Sequence, residues 1–258
     1  MIRKQVPLVG NLETSKRIAI RDAYGEALVD VGRVNPDVVV LEADVGSSTR
    51  SILFGEAYPE RYYNVGIAEG NMMGIAAGLA ACGKTPFVNT FAVFATLRAA
   101  DPLRNLIALS GLNVKIAAAY GGLSDSYDGA THQSVEDIAI ARSIPNLTVI
   151  VPTDATETKE AVRAAAAHAG PVLLRLSRAP VPVLFDEESS FTIGKGNLLR
   201  MGTDVTLMAC GYMVHKALEA ACILAQQNIS ARVLAMPTIK PLDTDLILEA
   251  AQETGRIV

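Results

Sequence analysis

Four short segments hold the residues of this chain that could do chemistry, and each follows a run of apolar residues. The first is Leu41-Glu42-Ala43-Asp44-Val45-Gly46-Ser47-Ser48, and the second is Tyr63-Asn64-Val65-Gly66-Ile67-Ala68-Glu69. The third is Thr90-Phe91-Ala92-Val93-Phe94; the fourth, residues 121–133, runs from Gly121 through Asp128 to His132 and Gln133. Glu69 opens a predicted helix, where a carboxylate either complements the helix dipole or, kept from water, takes part in proton movement. Phe91 and Phe94, three apart, suit a core or a wall on which a flat heterocycle stacks. His132, in a polar loop, can hydrogen-bond locally or act as an acid–base. Gly70, Gly74 and Gly78 share one helical face and let a second helix come close. Singly, each has a plain structural reading; their recurrence at successive strand ends points to a site.

Those strand ends belong to a regular alternation. Residues 15–34 read as an amphipathic helix and 38–42 as a buried strand; a short strand near 62–65 precedes a helix over 69–82. Strand 86–89, helix 94–110, strand 114–119, helix 135–143 and strand 147–152 follow, then an Ala-rich helix capped by Asp154 and strand 171–177. Unbroken apolar strands, each followed by a helix, predict a doubly wound parallel α/β sheet, which binds its ligands at the carboxyl ends of the strands. The Pro-containing acidic stretch RAPVPVLFDEESS reads as a linker. A second βα pattern follows, with Gly194-Lys195-Gly196 in a predicted strand, and the closing GRIV looks like the start of an unfinished one. The expected division is residues 1–180, a linker at 181–193, and a second, truncated α/β domain at 194–258.

Composition removes several function classes. The chain is 50% hydrophobic and 19% charged with a net charge of −4 and no basic run, which argues against nucleic acid. No apolar stretch is long enough to span a bilayer, and no secretory h-region follows the first residues. Cys82, Cys210 and Cys222 lack metal spacing and read as buried thiols of a cytoplasmic protein; His132, His168 and His215 are too dispersed for a metal site. His215 is expected to be a satisfied packing residue.

The chain resembles the transketolase family over nearly its whole length. VGIAEGNMMGIAAGLAACGKTPFVNTFAVF is similar to that family's glutamate helix and aromatic strand end, YDGATHQSVEDIAIARSIPNLTVIVPTD to its substrate loop, and LAMPTIKPLD to its C-terminal domain. The resemblance implies a thiamine diphosphate fold, residues 1–180 being its pyrimidine-binding domain. It makes Glu69 the carboxylate that bonds N1′ of the aminopyrimidine, an apolar pocket favouring its neutral form so that it shares a proton there. Phe94 would stack on the pyrimidine, Phe91 would line the same pocket, and Asp44 would sit near the cofactor's middle. Asp128 and His132 would bond sugar hydroxyls, His132 also assisting proton movement; Arg21, Ser48 and Arg178 would contact the sugar phosphate. For Arg21 and Arg178 a surface ion pair is the competing reading.

Two positions depart from the family pattern: Tyr120 stands where many relatives place a substrate-binding histidine, and Gly70 where a histidine usually follows the glutamate. Tyr120 brings one hydrogen bond but no charge to substrate binding. No Gly-Asp-Gly occurs, so the diphosphate and Mg²⁺ half-site is expected on an N-terminal-type partner subunit, with the chain itself holding no metal and the whole resembling an α2β2 heterotetramer. The implied activity is transfer of a two-carbon ketol group between sugar phosphates. The alternatives are a 1-deoxyxylulose-5-phosphate synthase, a 2-oxo acid dehydrogenase β-type subunit, or a non-catalytic scaffold.

Overall fold

Val38-Val39-Val40-Leu41-Glu42 forms a strand that is buried along its whole length because both of its faces meet helices. Val39 and Leu41 point into a cluster with Met72, Met73 and Val88, while Val38 and Val40 meet Tyr24, Leu28 and Ala161 on the other side. The computed structural model describes residues 5–8, 12, 14–125 and 127–258. Its elements begin with β1 (Arg17–Ala19), α1 (Ile20–Val34), β2 (Val38–Glu42), α2 (Gly46–Thr49), α3 (Ile52–Ala57) and β3 (Tyr62–Asn64). There follow α4 (Glu69–Ala81), β4 (Thr85–Phe91), α5 (Ala100–Pro102), β5 (Lys115–Ala119), α6 (Asp137–Ser143), β6 (Thr148–Ile150) and α7 (Ala155–Ala167). The rest are β7 (Val172–Leu176), β8 (Pro180–Pro182), β9 (Asn197–Arg200), β10 (Val205–Ala209), α8 (Met213–Gln226), β11 (Ala231–Ala235), β12 (Thr238–Lys240) and α9 (Thr244–Thr254).

The main sheet runs β12-β6-β7-β5-β4-β2-β3. Its six strands from β2 to β7 are parallel, as the unbroken apolar runs predict. The seventh, β12, is antiparallel to β6 and comes from beyond residue 194, so the second unit lends an edge strand to the first. The second unit has its own sheet, β10-β11-β9, and Arg256 to Val258 exchange backbone hydrogen bonds with β10 through an isolated bridge at Ile257.

Several local readings change. Residues 17–19 are strand rather than helix, because β1 pairs antiparallel with β8, inside the stretch read as boundary and linker. The helix predicted over 94–110 is broken into π-helical turns at Phe94–Arg98 and Leu103–Ala108 around α5. Pro102 has no N–H to give the Arg98 carbonyl, which loosens the ladder there. Gly194-Lys195-Gly196 lies in the turn and extended chain before β9, not within a strand. Cys82 and Cys222 are exposed and Cys210 half-buried: Cys82 caps the end of α4 and Cys222 sits on the outer side of α8. His215 packs edge-on against Tyr212 at 4.6 Å but its buried Nε2 finds no hydrogen-bond partner among the described residues; burial lowers its pKa and keeps the ring neutral.

At the joint between the units, Asp154 caps α7 and Glu157 answers it. Glu157 Oε2 accepts from the Thr153 N–H at 2.7 Å and its Oε1 from Asn197 on β9 at 3.2 Å. Burial pushes the Glu157 carboxyl up to about 7. A folded-state pKa above the unfolded value means the fold binds the extra proton, so this contribution is present at low pH and lost as pH rises toward 7. Urea unfolding between about pH 5 and 7 should therefore show stability falling with pH, and Glu157→Gln should remove that part of the slope.

Candidate active site

Each expected site residue stands at the carboxyl edge of the main sheet, or on the helix start beside it. Asp44 and Ser48 follow β2, Glu69 follows β3, Phe91 ends β4 with Phe94 just beyond, Tyr120 follows β5 and Arg178 follows β7; Arg21 lies in the first turn of α1. Glu69 is 2% exposed at the start of α4. Both its oxygens are held by Arg98, whose Nη1 donates to Oε1 and Oε2 at 2.9 Å each. The same guanidinium lies 4.1 Å from the centre of the Phe94 ring. The pocket around Glu69 is thus not wholly apolar, as the sequence suggested; it contains a cation.

The aromatic residues form one cluster. Phe91 and Phe94 are 6.0 Å apart, and His132 meets both edge-on, at 5.7 Å and 5.2 Å. Thr131 Oγ1 lies 3.0 Å from His132 Nδ1. Tyr120 stacks on Phe91 at 4.4 Å with the ring planes only 10° apart. Its backbone has a φ of 61°, a left-handed conformation that turns the ring back onto the strand ends.

Tyr120 also sits between two arginines. Its hydroxyl accepts from Arg21 Nη1 at 2.6 Å, and the Arg178 guanidinium lies 5.4 Å from its ring centre. Hydrogen bonding to Tyr120 is the main cause raising the Arg178 pKa, with burial opposing. Arg21 Nη1 also donates to the Ser48 carbonyl at 3.1 Å, so Ser48 contributes its backbone to the cluster. Among the described residues, neither arginine's buried Nε has a hydrogen-bond partner. Two cations beside a tyrosine hydroxyl at a strand edge are the chemistry of an anion site.

Opposite Arg178 stands Asp125, fully buried, which the sequence reading passes over. Among the described residues its oxygens meet no donor in good hydrogen-bond geometry, Arg178 Nε standing 3.5 Å away. Burial, then the neighbouring Asp128, push its carboxyl pKa up, while Arg178 and His132 pull it down. Asp128 itself is exposed beside Tyr127, and Ser126 lies outside the described residues. The loop is anchored where Gly121 crosses Arg175: a Cβ there would stand 2.5 Å from Arg175 Nε, which is paired to Asp137 at 2.7 Å. Asp44, by contrast, is exposed and bonded by Asn64 Nδ2 at 2.9 Å, apart from the contacts that join the other residues.

Two cavities lie elsewhere. One of about 860 Å³ is lined by Lys16, Thr156, Lys159, Val183 and Phe185 against α7, and another of about 330 Å³ adjoins it at the linker. The carboxyl edge is instead open along α4: a Cβ at Gly70, Gly74 or Gly78 would meet nothing within 4 Å, and Ile67 and Ile75 are exposed beside them. No helix among the described residues is long and apolar enough to cross a membrane.

Comparison with known proteins identifies the two domains of the chain. Residues 16–183 match the pyrimidine binding domain of transketolase, and residues 194–258 match the transketolase C-terminal domain. The chain is 42% identical over 239 residues to the 6-deoxy-6-sulfo-D-fructose transketolase subunit SqwH of Clostridium sp. (strain MSTE9), covering 93% of this chain and 74% of that one. It is 38% identical over 242 residues to an apulose-4-phosphate transketolase subunit of Phocaeicola vulgatus, covering 93% and 78%. A solved split-gene transketolase, described as an inactive beta4 tetramer, superposes with a TM-score of 0.86 at 48% identity, covering 94% of this chain and 79% of that one.

Proposed function

Because the chain belongs to the transketolase family and is a transketolase-type subunit, we propose that it carries the pyrimidine half of a thiamine diphosphate site and the sugar-phosphate contacts. The observation that carries this reading is the buried Glu69 carboxylate at a helix start, on the same sheet edge as the aromatic cluster and the two arginines. These residues fit the cofactor. Glu69 is a hydrogen-bonding group for a ring nitrogen, kept from water, and Phe94 and Phe91 offer flat faces beside it. Bound there, thiamine diphosphate supplies the electron sink that ketol transfer needs.

The chain's own residues do the rest. Glu69 holds a proton at the pyrimidine nitrogen; His132, at the rim of the aromatic cluster, moves protons on the sugar hydroxyls, to which Asp128 also bonds. Asp44, exposed beyond β2, would face the middle portion of the cofactor. Arg21, Arg178 and Tyr120 receive the anionic end of the sugar, the Ser48 carbonyl helping to hold Arg21 in place. A phosphate is the expected anion, in a sugar of the pentose phosphate type; a relative that acts on a sulfo-sugar makes a sulfonate the second candidate.

We assign Mg²⁺ and the diphosphate to an N-terminal-type partner subunit in an α2β2 assembly. Relatives named as subunits support this, as does the open glycine face of α4, on which a partner helix could approach closely. The three free cysteines are in keeping with a reducing cytoplasm.

The test is ketol transfer from xylulose 5-phosphate to ribose 5-phosphate with thiamine diphosphate and Mg²⁺. Turnover is expected only when the partner subunit is added; no turnover in a stable complex would favour another donor or a scaffold role. Within an active complex, Tyr120→Phe should raise KM for the phosphorylated donor about tenfold with kcat nearly unchanged, because Arg21 loses the hydroxyl that aims it. An unaltered KM would remove Tyr120 from substrate recognition.

A further inference from the structure

Arg98 is tied to both of the groups given above to the pyrimidine ring. Its Nη1 bonds the two oxygens of Glu69 at 2.9 Å, and its guanidinium lies 4.1 Å from the centre of Phe94. A flat heterocycle hydrogen-bonded to Glu69 and stacked on Phe94 would make the same pair of contacts. A carboxylate that is only 2% exposed has little room for two partners, and the stacking place on Phe94 is shared as well. Arg98 also has somewhere to go: its side chain is 49% exposed at the end of a π-helical turn, so the head can swing into water without leaving a buried charge.

Resting on the cofactor reading above, we infer that Arg98 is a positioning residue that holds Glu69 and is displaced by the cofactor's aminopyrimidine, so that the two compete for one place. Competition has a signature that a merely structural ion pair lacks. Losing Arg98 weakens the fold, because Glu69 is left buried and unpaired, yet it strengthens cofactor binding, because nothing has to be displaced. A pair that only holds the helix would move both quantities down or leave binding alone.

The experiment uses the full chain with its partner subunit and measures the Kd for thiamine diphosphate in Mg²⁺ by calorimetry, with thermal unfolding of the chain alone as the second readout. Arg98→Gln should bind the cofactor about tenfold more tightly than the unsubstituted protein and unfold at a lower temperature. Arg98→Lys, which keeps the charge but not the flat face, should lie between the two in both readouts. If Arg98→Gln does not fold, Arg98→Lys carries the test, its tighter binding supporting the proposal. Binding that is unchanged or weaker in the folded variants overturns the competition while leaving the cofactor reading intact. An unaltered unfolding temperature overturns the pairing with Glu69. No cofactor binding by any form, unsubstituted protein included, overturns the cofactor reading and this proposal with it.

Discussion

Glu69→Gln should lower ketol transfer by about 10²- to 10⁴-fold in the assembled enzyme, the range expected when a positioned proton-transfer group is lost. The substitution is nearly isosteric, and the amide oxygen can still accept from Arg98, so the start of α4 keeps a partner for that guanidinium. What disappears is the ability to hold and release a proton at a ring nitrogen. Assembly with the partner should therefore be unchanged by size-exclusion chromatography while turnover collapses. Activity within threefold of the unsubstituted enzyme would remove Glu69 from the chemistry. A loss of both activity and assembly would make its role structural.

The candidate site is legible in sequence to the extent that its residues sit at strand ends, since unbroken apolar runs such as Val38 to Glu42 announce the parallel strands and hence the edge where such sheets bind ligands. Phe91 ends β4, and Glu69, Tyr120 and Arg178 follow β3, β5 and β7, as that pattern requires. What periodicity does not carry is pairing between distant segments. Nothing local marks Arg17–Ala19 as a strand; it becomes one because Pro180–Pro182 lies beside it. Thr238–Lys240 joins the first sheet for the same reason. Arg98 escapes notice because its partner Glu69 stands 29 residues earlier, although its place four residues after Phe94, one turn along a helix, is a usable signal. Asp125 is hidden in a polar loop, where burial is set by how the loop folds over Arg178. The cysteines mislead because an apolar neighbourhood in sequence does not say which side of a helix faces water.

Perturbed ionisation alone would also mislead. Lys115 is fully buried, burial lowers its pKa to about 7, and its Nζ donates to the carbonyls of His168 and Gly170 at 2.7 Å each. That is the profile of a catalytic lysine, but it stands at the start of β5, at the opposite edge of the sheet, where it ties off the end of α7. Position in the fold, rather than the shift, separates it from Asp125.

The largest loss of stability is expected from Asp154→Ala. Asp154 Oδ1 accepts from the Glu157 N–H at 2.8 Å and caps α7; Oδ2 accepts from the N–H groups of Leu184 and Phe185 at 2.6 Å and 2.9 Å. Those two residues are buried in the core of the second unit with Leu199, Val214 and Val233. One carboxylate therefore fixes a helix start in the first unit and the segment that feeds the core of the second. Alanine removes the cap and leaves buried N–H groups unpaired, a cost of about 3–5 kcal/mol. In a chain of this length that is a fall in Tm of about 10 °C. Asp154→Asn, which keeps one accepting oxygen but brings an NH₂ against donors, should lose less. A fall of only a degree or two in the alanine variant would mean that water reaches these N–H groups and that the joint is looser than its hydrogen bonds imply.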